Sequence, residues 1–270
     1  MHGAAPSVGR VSSTALNSKA TELLRLHTDP ELLVVVNVWD VVSATVVAAQ
    51  PGCRAIATAS HSIAATLGYP DNEHIPVDLM IDMCGRIAAA VELPVTADLE
   101  AGYGDPGETV RKAIGAGVVG ANLEDRMQPL PDAVAAVRAA VEAGQAEGVP
   151  FVLNARTDAF VKAGDRDRRE VLADAIERGR AFLDAGAACV FVPGLLDEPT
   201  VGALVEGIGQ RRVSVINVPG SLPQQRLAEL GVARVSFGPF IQRAALTRLA
   251  ELAADLLAGA ALPDGIQALN

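Results

Sequence analysis

The sequence predicts an α/β fold, a single-domain (β/α)₈ barrel over residues 1–270. From Leu32 onward, short apolar runs rich in β-branched residues alternate with longer segments whose apolar positions recur at helical spacing, a pattern typical of repeated βα units. Eight strands in about 250 residues favour a closed barrel over an open doubly wound sheet. The predicted strands are residues 33–38, 54–58, 95–100, 120–124, 151–155, 189–192, 214–217 and 234–237.

Helical segments between the strands are long enough to cross back over a parallel sheet. One of them has an explicit start, because Asp105 is suited to cap it, Pro106 to open it and Glu108 to complete a capping box. An extra helix near residues 14–26 precedes the first strand and another near residues 241–257 follows the last, and each either covers the barrel or contacts a partner subunit. The other predicted helices are residues 77–91, 108–116, 132–147, 169–185, 199–208 and 223–230.

Composition and charge favour a small-molecule partner. The 32 acidic residues outnumber the 22 Lys and Arg, so the net charge is −10 and the pI is near 4.9. Nucleic acids and acidic membranes are bound through clustered Lys and Arg, so neither is expected as a partner. No apolar run reaches the roughly 18 residues that a membrane span needs. The sequence also begins without the pattern of a secretory leader, so we expect a cytoplasmic protein.

The cysteines and lysines argue against several other chemistries. Cys53, Cys84 and Cys189 are odd in number and widely spaced, so no disulfide framework or CxxC metal site is predicted. Cys84 and Cys189 lie within apolar runs and are expected in the core. None of the lysines lies in a predicted strand, which disfavours a Schiff-base mechanism. No nucleophile elbow indicates a Ser-His-Asp triad.

Polar side chains collect at the ends of three successive predicted strands. The reacting groups of a (β/α)₈ barrel lie at the carboxyl ends of its strands, and residues two apart on a strand face the same side. A single acidic residue after a strand can equally be a helix cap or face water. Burying three such pairs without a function, however, would cost several kcal/mol. The pairs are Asp98 with Glu100, Asn122 with Glu124, and Asn154 with Arg156.

A divalent cation is the expected partner of these carboxylates. Three carboxylates brought together would raise one another's pKa unless a cation neutralised them. Oxygen ligands without His or Cys favour Mg²⁺ or Mn²⁺ over Zn²⁺, and Mg²⁺ usually takes only one or two protein carboxylates and keeps several waters. We therefore expect one direct ligand, with the other carboxylates holding its waters. Arg156 would then bind a substrate carboxylate or phosphonate through its planar guanidinium.

A second candidate region follows the second predicted strand. His61 stands between two serines, and Asp71 follows a Tyr-Pro pair. A lone His is more often a structural or loop residue than a catalytic one. Asp71 can equally serve only the chemistry of a turn. On the residues alone, both alternatives stay open.

A motif at the end of the third predicted strand carries a family resemblance. The sequence Asp98-Leu99-Glu100-Ala101-Gly102-Tyr103-Gly104 is similar to the acidic metal-binding motif of the isocitrate lyase and phosphoenolpyruvate mutase superfamily, with Glu100 where Asp is commoner. The chain resembles this superfamily over roughly residues 32–239. Supporting elements are Leu-Gly-Tyr-Pro-Asp at residues 67–71, Asn-Leu-Glu-Asp at 122–125 and Asn-Ala-Arg-Thr-Asp at 154–158.

The resemblance implies a specific set of site residues. It implies that Asp98 binds the metal directly and that Asp71, Glu100 and Glu124 hold it through waters. It also implies that Arg156 binds substrate, and that the last helix is exchanged between subunits of a homodimer or homotetramer. The remaining substrate-binding residues that it implies are Ala59, Ser60 and His61, whose backbone would hold the carboxylate of a 2-oxo acid, and Asn217, which would reach the site from the seventh strand.

The loop after the fourth predicted strand departs from the family pattern. The lyase branch carries a Lys-Lys-Cys-Gly-His or Lys-Arg-Cys-Gly-His loop whose Cys is the catalytic acid or base, whereas residues 126–131 here read Arg-Met-Gln-Pro-Leu-Pro. The Lys and Asn of the mutase branch are absent as well. This short loop leaves little lid to exclude water. It favours a subgroup acting as decarboxylase or retro-aldol lyase.

The sequence therefore leaves three functions open. The preferred one is a Mg²⁺-dependent C–C lyase or decarboxylase that acts on a 2-oxo or 2-hydroxy dicarboxylate through a pyruvate enolate, with Arg156, Glu124 and Tyr103 as catalytic candidates. The acid that protonates the enolate is either Tyr103 or a metal-bound water. The second is mutase or hydrolase chemistry on a phosphonate at the same site. The third is a non-catalytic member that binds a metabolite.

Overall fold

A closed barrel of parallel strands forms the centre of the protein. The computed structural model describes residues 13–269. Its first barrel strand is interrupted at Val36 and consists of β1 (Leu33–Val35) and β2 (Asn37–Val38). β1 pairs with the last strand segment and β2 with the second strand, so the nine segments close into eight barrel strands. The others are β3 (Ile56–Thr58), β4 (Val95–Asp98), β5 (Gly120–Glu124), β6 (Val152–Arg156), β7 (Cys189–Val192), β8 (Val213–Ile216) and β9 (Arg234–Ser236).

The helices follow the strands in the order that the sequence predicts, and they confirm the barrel. The predicted start at Asp105 is confirmed, because its side chain accepts a hydrogen bond of 2.9 Å from the N–H of Glu108. The helices are α1 (Ser13–Thr28), α2 (Val41–Ala48), α3 (Ser60–Thr66), α4 (Val77–Ala90), α5 (Pro106–Gly115), α6 (Leu130–Ala146), α7 (Arg168–Asp184), α8 (Glu198–Ile208), α9 (Gln224–Glu229) and α10 (Phe240–Leu257).

Two of these helices were not predicted. α2 consists largely of β-branched valines and shows no polar face, so it lacks the helical periodicity of the others. Its start is set by Asp40, which forms a reciprocal capping box with Ser43. α3 is only 7 residues long, and it places His61 on a helix that begins at the end of β3.

The strand register lines up the polar residues of the barrel interior. Asp98 lies beside Asn122, and Asn122 beside Asn154, on three neighbouring strands. The Asn154 side-chain amide donates hydrogen bonds to Asn122 Oδ1 at 2.8 Å and to Ser214 Oγ at 3.3 Å. A hydrogen-bonded polar layer therefore lies in the barrel between the apolar core and the strand ends.

Asn37 joins the two sides of the interrupted first strand to their neighbours. Its Oδ1 accepts hydrogen bonds of 2.8 Å from the backbone N–H groups of Phe237 and Gly238, which follow β9. Its Nδ2 donates to the carbonyl of Thr58 on β3 at 2.9 Å. One buried amide thus makes the polar contacts that backbone groups make elsewhere in the sheet.

The cysteines and the outer surface agree with the composition. Cys84 and Cys189 are buried as predicted, Cys53 is half-buried, and all three are free thiols. None of the helices within residues 13–269 is long and apolar enough to cross a lipid bilayer. α10 leaves large apolar side chains exposed, among them Leu246 and Leu249.

Candidate active site

A cavity of about 350 Å³ opens at the carboxyl ends of the barrel strands. Five of the ten site residues predicted from the sequence line it, and the five that do not are Ala59, Glu100, Tyr103, Glu124 and Asn217. No Cys or Lys of the described chain lines it. Its polar lining residues are Asn37, Ser60, His61, Asp71, Asp98, Asn122, Arg156, Ser236 and Arg243. Its large apolar lining residues are Val161, Phe191, Leu195, Ile216, Val218 and Phe240.

Asp98 stands at the end of β4, where its carboxylate faces the cavity. Its Oδ2 accepts a hydrogen bond of 2.8 Å from the Ser60 hydroxyl and one of 3.3 Å from the Ser60 backbone N–H. Its own backbone N–H donates to Thr58 Oγ1 at 3.0 Å. Ser60 at the start of α3 therefore orients the carboxylate, while Thr58 at the end of β3 holds the backbone of Asp98.

Glu100 does not share a strand face with Asp98, so that part of the prediction is wrong. β4 ends at Asp98, and the backbone of Glu100 is left-handed with φ of 51°. Its buried side chain accepts hydrogen bonds from the Glu73 backbone N–H and from the Tyr103 hydroxyl. Burial, together with the nearby charges of Asp98 and Asp71, raises the pKa of Glu100 to about 7.

Tyr103 lies behind the cavity and not within its lining. Its hydroxyl donates to Glu100 Oε1 at 3.2 Å, and its φ of 52° is also left-handed. Burial and the neighbouring Glu100 carboxylate raise the pKa of Tyr103. The hydroxyl is therefore strongly held in its protonated form.

Arg126 and Glu73 form a bridge that the sequence did not indicate. Arg126 donates to Glu73 Oε2 and to Glu124 Oε1, each at 3.0 Å, and lies 3.5 Å from Glu100 Oε2. Glu73 also accepts hydrogen bonds from the backbone N–H groups of Ala101 and Tyr103. One guanidinium from the short loop after β5 thus neutralises carboxylates from three other segments of the chain.

Glu124 and Arg156 are adjacent at the ends of β5 and β6 and form an ion pair of 2.8 Å. The Arg156 guanidinium also contacts Asp158 at 2.7 Å, so it is fixed between two carboxylates while it still lines the cavity. Burial raises the pKa of Glu124, and the positive charge of Arg156 opposes that shift. The predicted convergence of the second and third polar pairs is observed.

The other predicted site residues differ in position. His61 lines the cavity, and its buried Nδ1 has no hydrogen-bond partner within residues 13–269. Ala59 is the buried residue that precedes α3. Asn217 turns away, because its side-chain amide donates to the carbonyl of Leu222 at 3.2 Å, and it does not line the cavity.

The donor set fits a water-coordinated divalent cation better than one enclosed by protein ligands. In the described part of the chain, no three Asp, Glu, His or Cys side chains are arranged to ligate one metal together. Asp98 and Asp71 nevertheless face one cavity, and their charges contribute to the raised pKa of Glu100. Such an excess of negative charge suits Mg²⁺, which commonly binds through one or two carboxylates and several waters.

Comparison with known proteins assigns the family. The sequence model for phosphoenolpyruvate phosphomutase matches residues 23–257. The chain belongs to this family. The resemblance carried by the motif at Asp98 is therefore confirmed, and the fold and the family agree that the protein is an enzyme of the phosphoenolpyruvate mutase and isocitrate lyase superfamily.

The relatives of this family member have different names. An uncharacterised protein of Mycobacterium tuberculosis (strain ATCC 25618 / H37Rv) is 32% identical over 243 residues, which are 89% of this chain and 91% of that protein. The crystal structure of a provisionally assigned phosphonomutase from Burkholderia cenocepacia J2315 is 38% identical, with a TM-score of 0.83 over 89% of this chain and 99% of that one. The structure of oxaloacetate acetylhydrolase with its product oxalate is 27% identical, with a TM-score of 0.82 over 93% and 91% of the two chains.

Proposed function

We propose that the protein cleaves a carbon–carbon bond of a small 2-oxo or 2-hydroxy dicarboxylate in a Mg²⁺-dependent or Mn²⁺-dependent reaction. The observation that carries the proposal is the placement of Asp98, Ser60 and Arg156 around one cavity, with Asp71 beside them. An anionic substrate and a cation can be held together there. The likeness to oxaloacetate acetylhydrolase supports a substrate of this class.

The residues have the following proposed roles. Asp98 would bind the cation directly, and Asp71, Glu100 and Glu124 would hold its waters. When bound, the cation would withdraw electrons from the 2-oxo oxygen of the substrate. Arg156 would bind the substrate carboxylate in a fixed orientation, because Glu124 and Asp158 hold its guanidinium.

The carbon–carbon cleavage places its charge where this site can stabilise it. In a four-carbon 2-oxo dicarboxylate, whose C4 is a carboxylate carbon, the bond between C3 and C4 breaks, its electron pair moves toward C2 to form an enolate, and carbon dioxide leaves. A proton then adds to C3 and gives the 2-oxo acid product. Water is the proposed proton donor, because Tyr103, the other candidate, does not line the cavity and its hydroxyl donates to Glu100. Because carbon dioxide leaves without needing a proton, the reaction is compatible with the absence of the lyase Cys from residues 126–131.

The test is an oxaloacetate assay with wild-type protein and Asp98→Ala, with EDTA or MgCl₂. Pyruvate would report decarboxylation, and oxalate with acetate would report hydrolytic cleavage. We expect the Asp98 variant to lose at least about 100-fold in rate. Asp78→Ala is the matched control, since Asp78 is exposed and, among residues 13–269, forms an ion pair only with Lys112 on the surface. Equal rates in wild type and Asp98→Ala would reject the assignment of the site.

Phosphonate chemistry is the second candidate. The phosphoenolpyruvate phosphomutase family match and the provisionally assigned phosphonomutase from Burkholderia support it. The loop at residues 126–131, which lacks the Lys and Asn of the mutase branch, disfavours it. Phosphorus NMR of the protein with phosphonopyruvate and MgCl₂ distinguishes the two, because only phosphonate chemistry changes the phosphorus signal. Metabolite binding without turnover is the remaining alternative.

The family's exchanged last helix suggests a homodimer or homotetramer for this protein. The exposed apolar side chains of α10 support that proposal, since Leu246 and Leu249 are 53% and 60% exposed. Light scattering after gel filtration measures the molar mass in solution. The double variant Leu246→Glu and Leu249→Glu should have the molar mass of the monomer, and an unchanged molar mass would count against α10 as the interface.

A further inference from the structure

The positive charges of the cavity are unequally neutralised. Arg156 is held by the carboxylates of Glu124 and Asp158. Arg243, a solvent-exposed residue in the first turn of α10, lines the same cavity. Within residues 13–269, no carboxylate lies in ion-pair distance of Arg243, and its side chain makes no hydrogen bond. The cavity therefore contains one guanidinium whose N–H donors are free for a ligand.

The start of α10 is fixed against the helix that opens at the site. Gln242 is buried, and its Nε2 donates to the carbonyl of Ser62 and to Thr66 Oγ1, each at 3.0 Å. Both acceptors belong to α3, which begins at Ser60 beside Asp98. The backbone position of Arg243, the next residue, is consequently tied to that of the site.

An aromatic ring restrains the Arg243 guanidinium. Its central carbon lies 5.2 Å from the centre of the Phe240 ring, within the range of a cation–π contact. Stacking on a ring face uses none of the guanidinium N–H donors. Phe240 lines the cavity as well, so the contact holds the charge near the cavity and leaves its donors available.

We infer that Arg243 is a specificity-determining residue that binds the distal acidic group of a dianionic substrate. The inference rests on the proposed function in one respect, since it places the 2-oxo or 2-hydroxy acid end of the ligand at Asp98 and Arg156. A second carboxylate entering this cavity meets the charges of Asp98 and Asp71 and needs a positive partner. Arg243 is the unpaired cation that the cavity offers, and the net charge of −10 increases the need for it.

Calorimetric titration with matched ligands tests the inference without turnover. One pair is 2-oxoglutarate and 2-oxopentanoate, which ends in a methyl group where the first ends in a carboxylate. The other pair is malate and 2-hydroxybutanoate. Titrations contain MgCl₂ and use wild-type protein, Arg243→Gln and Arg248→Gln. Arg248 is the matched control, because it lies on α10, is exposed and pairs with Glu251.

The expected result is a preference of at least about fivefold for the dianion of one pair in wild type and in Arg248→Gln. Arg243→Gln should remove this preference and bind the monoanions with unchanged affinity. The inference is overturned if Arg243→Gln still prefers the dianion, or if wild type binds the monoanion of each pair as tightly as the dianion. The proposed function stands in both cases. Arg243-dependent dianion binding in a protein without turnover supports the inference and rejects the proposed function. Wild type that binds none of the four acids rejects both.

Discussion

Glu124 and Arg156 occupy paired positions on neighbouring strands, and their side chains meet at 2.8 Å. Asp158 contacts the same guanidinium at 2.7 Å. Two carboxylates therefore set the plane of Arg156 before any ligand arrives. An oriented guanidinium needs no reorganisation when a carboxylate binds, which is how a site becomes complementary to its substrate in advance.

Replacing Arg156 with Lys should reduce activity strongly while the fold is retained. Lysine keeps the positive charge but cannot contact Glu124, Asp158 and a substrate carboxylate through one planar group. We expect kcat/KM for the best substrate to fall about 100-fold. Steady-state kinetics measures the loss, with Arg111→Lys on the surface of α5 as control. Wild-type kinetics in Arg156→Lys would remove Arg156 from substrate binding.

Arg126 should stabilise the protein in the absence of any divalent cation. Arg126→Gln leaves Glu73 and the buried Glu100 without an ion-pair partner among residues 13–269, whereas Glu124 keeps its pair with Arg156. We expect the free energy of unfolding to fall by about 2 kcal/mol, because unpaired buried carboxylates are costly but the arginine is partly exposed. Thermal unfolding in EDTA measures this loss.

The comparison for this variant is Arg111→Gln, which removes an exposed pair with Glu108. A surface pair of this kind contributes at most about 1 kcal/mol. Equal melting temperatures for Arg126→Gln and Arg111→Gln in EDTA would mean that the bridge at Arg126 adds nothing to stability.

Gly102 should be far less tolerant of alanine than its neighbour Gly104. Both have left-handed backbones, with φ of 91° and 82°. A Cβ on Gly102 would lie 2.8 Å from the Cα of Pro106, whereas a Cβ on Gly104 would meet no atom within 4 Å. We expect Gly104→Ala to lower the free energy of unfolding by about 1 kcal/mol and Gly102→Ala to lower it by at least twice as much. Urea unfolding of both variants measures these losses, and equal losses would contradict the predicted contact.

His27 should make the protein less stable in mild acid. Burial, assisted by the charge of Arg234, lowers the pKa of His27 to about 3, from 6.5. The folded protein keeps the ring neutral, so its contribution to stability is complete above pH 6.5. That contribution is lost as the pH falls toward 3, because only the unfolded chain takes up the proton. Between pH 7 and pH 5 the loss is about 2 kcal/mol.

The variant His27→Gln isolates this effect, because glutamine does not titrate. Urea unfolding at pH 7, 6 and 5 should show a shallower loss of stability in the variant than in wild type. Parallel pH profiles for the two proteins would show that His27 is not held neutral by the fold.

The barrel and much of the site could be predicted because their signals are local in the sequence. Strand and helix periodicities, the capping residues after Asp105 and the alternation of side chains along β5 and β6 are all properties of short segments. Asp98 was predicted from its place at a strand end, and it lines the cavity. Cys84 and Cys189 were predicted in the core from their apolar neighbours.

The rest depends on contacts between distant segments or on backbone geometry. Arg126 and Glu73 are 53 residues apart, and nothing near either of them predicts their contact. Glu100 leaves the strand pattern because its backbone is left-handed, a conformation that side-chain alternation cannot indicate. Arg243 reaches the cavity from the last helix, which the sequence predicts only as cover for the barrel or as a subunit contact.

The hydrogen bonds of Asn37 make closure of the barrel a late step in folding. Phe237 and Gly238 lie 200 and 201 residues beyond Asn37, so the first strand receives these partners only after nearly the whole barrel sequence is available. Contacts at such separations form late, since the entropy of closing the intervening loop opposes them. During synthesis the carboxyl ends of β3, β4, β5 and β6 can assemble early, yet the ring around the cavity stays open until β9 docks. Premature termination before Arg234 would therefore leave a sheet with two unpaired edges, prone to association with other chains.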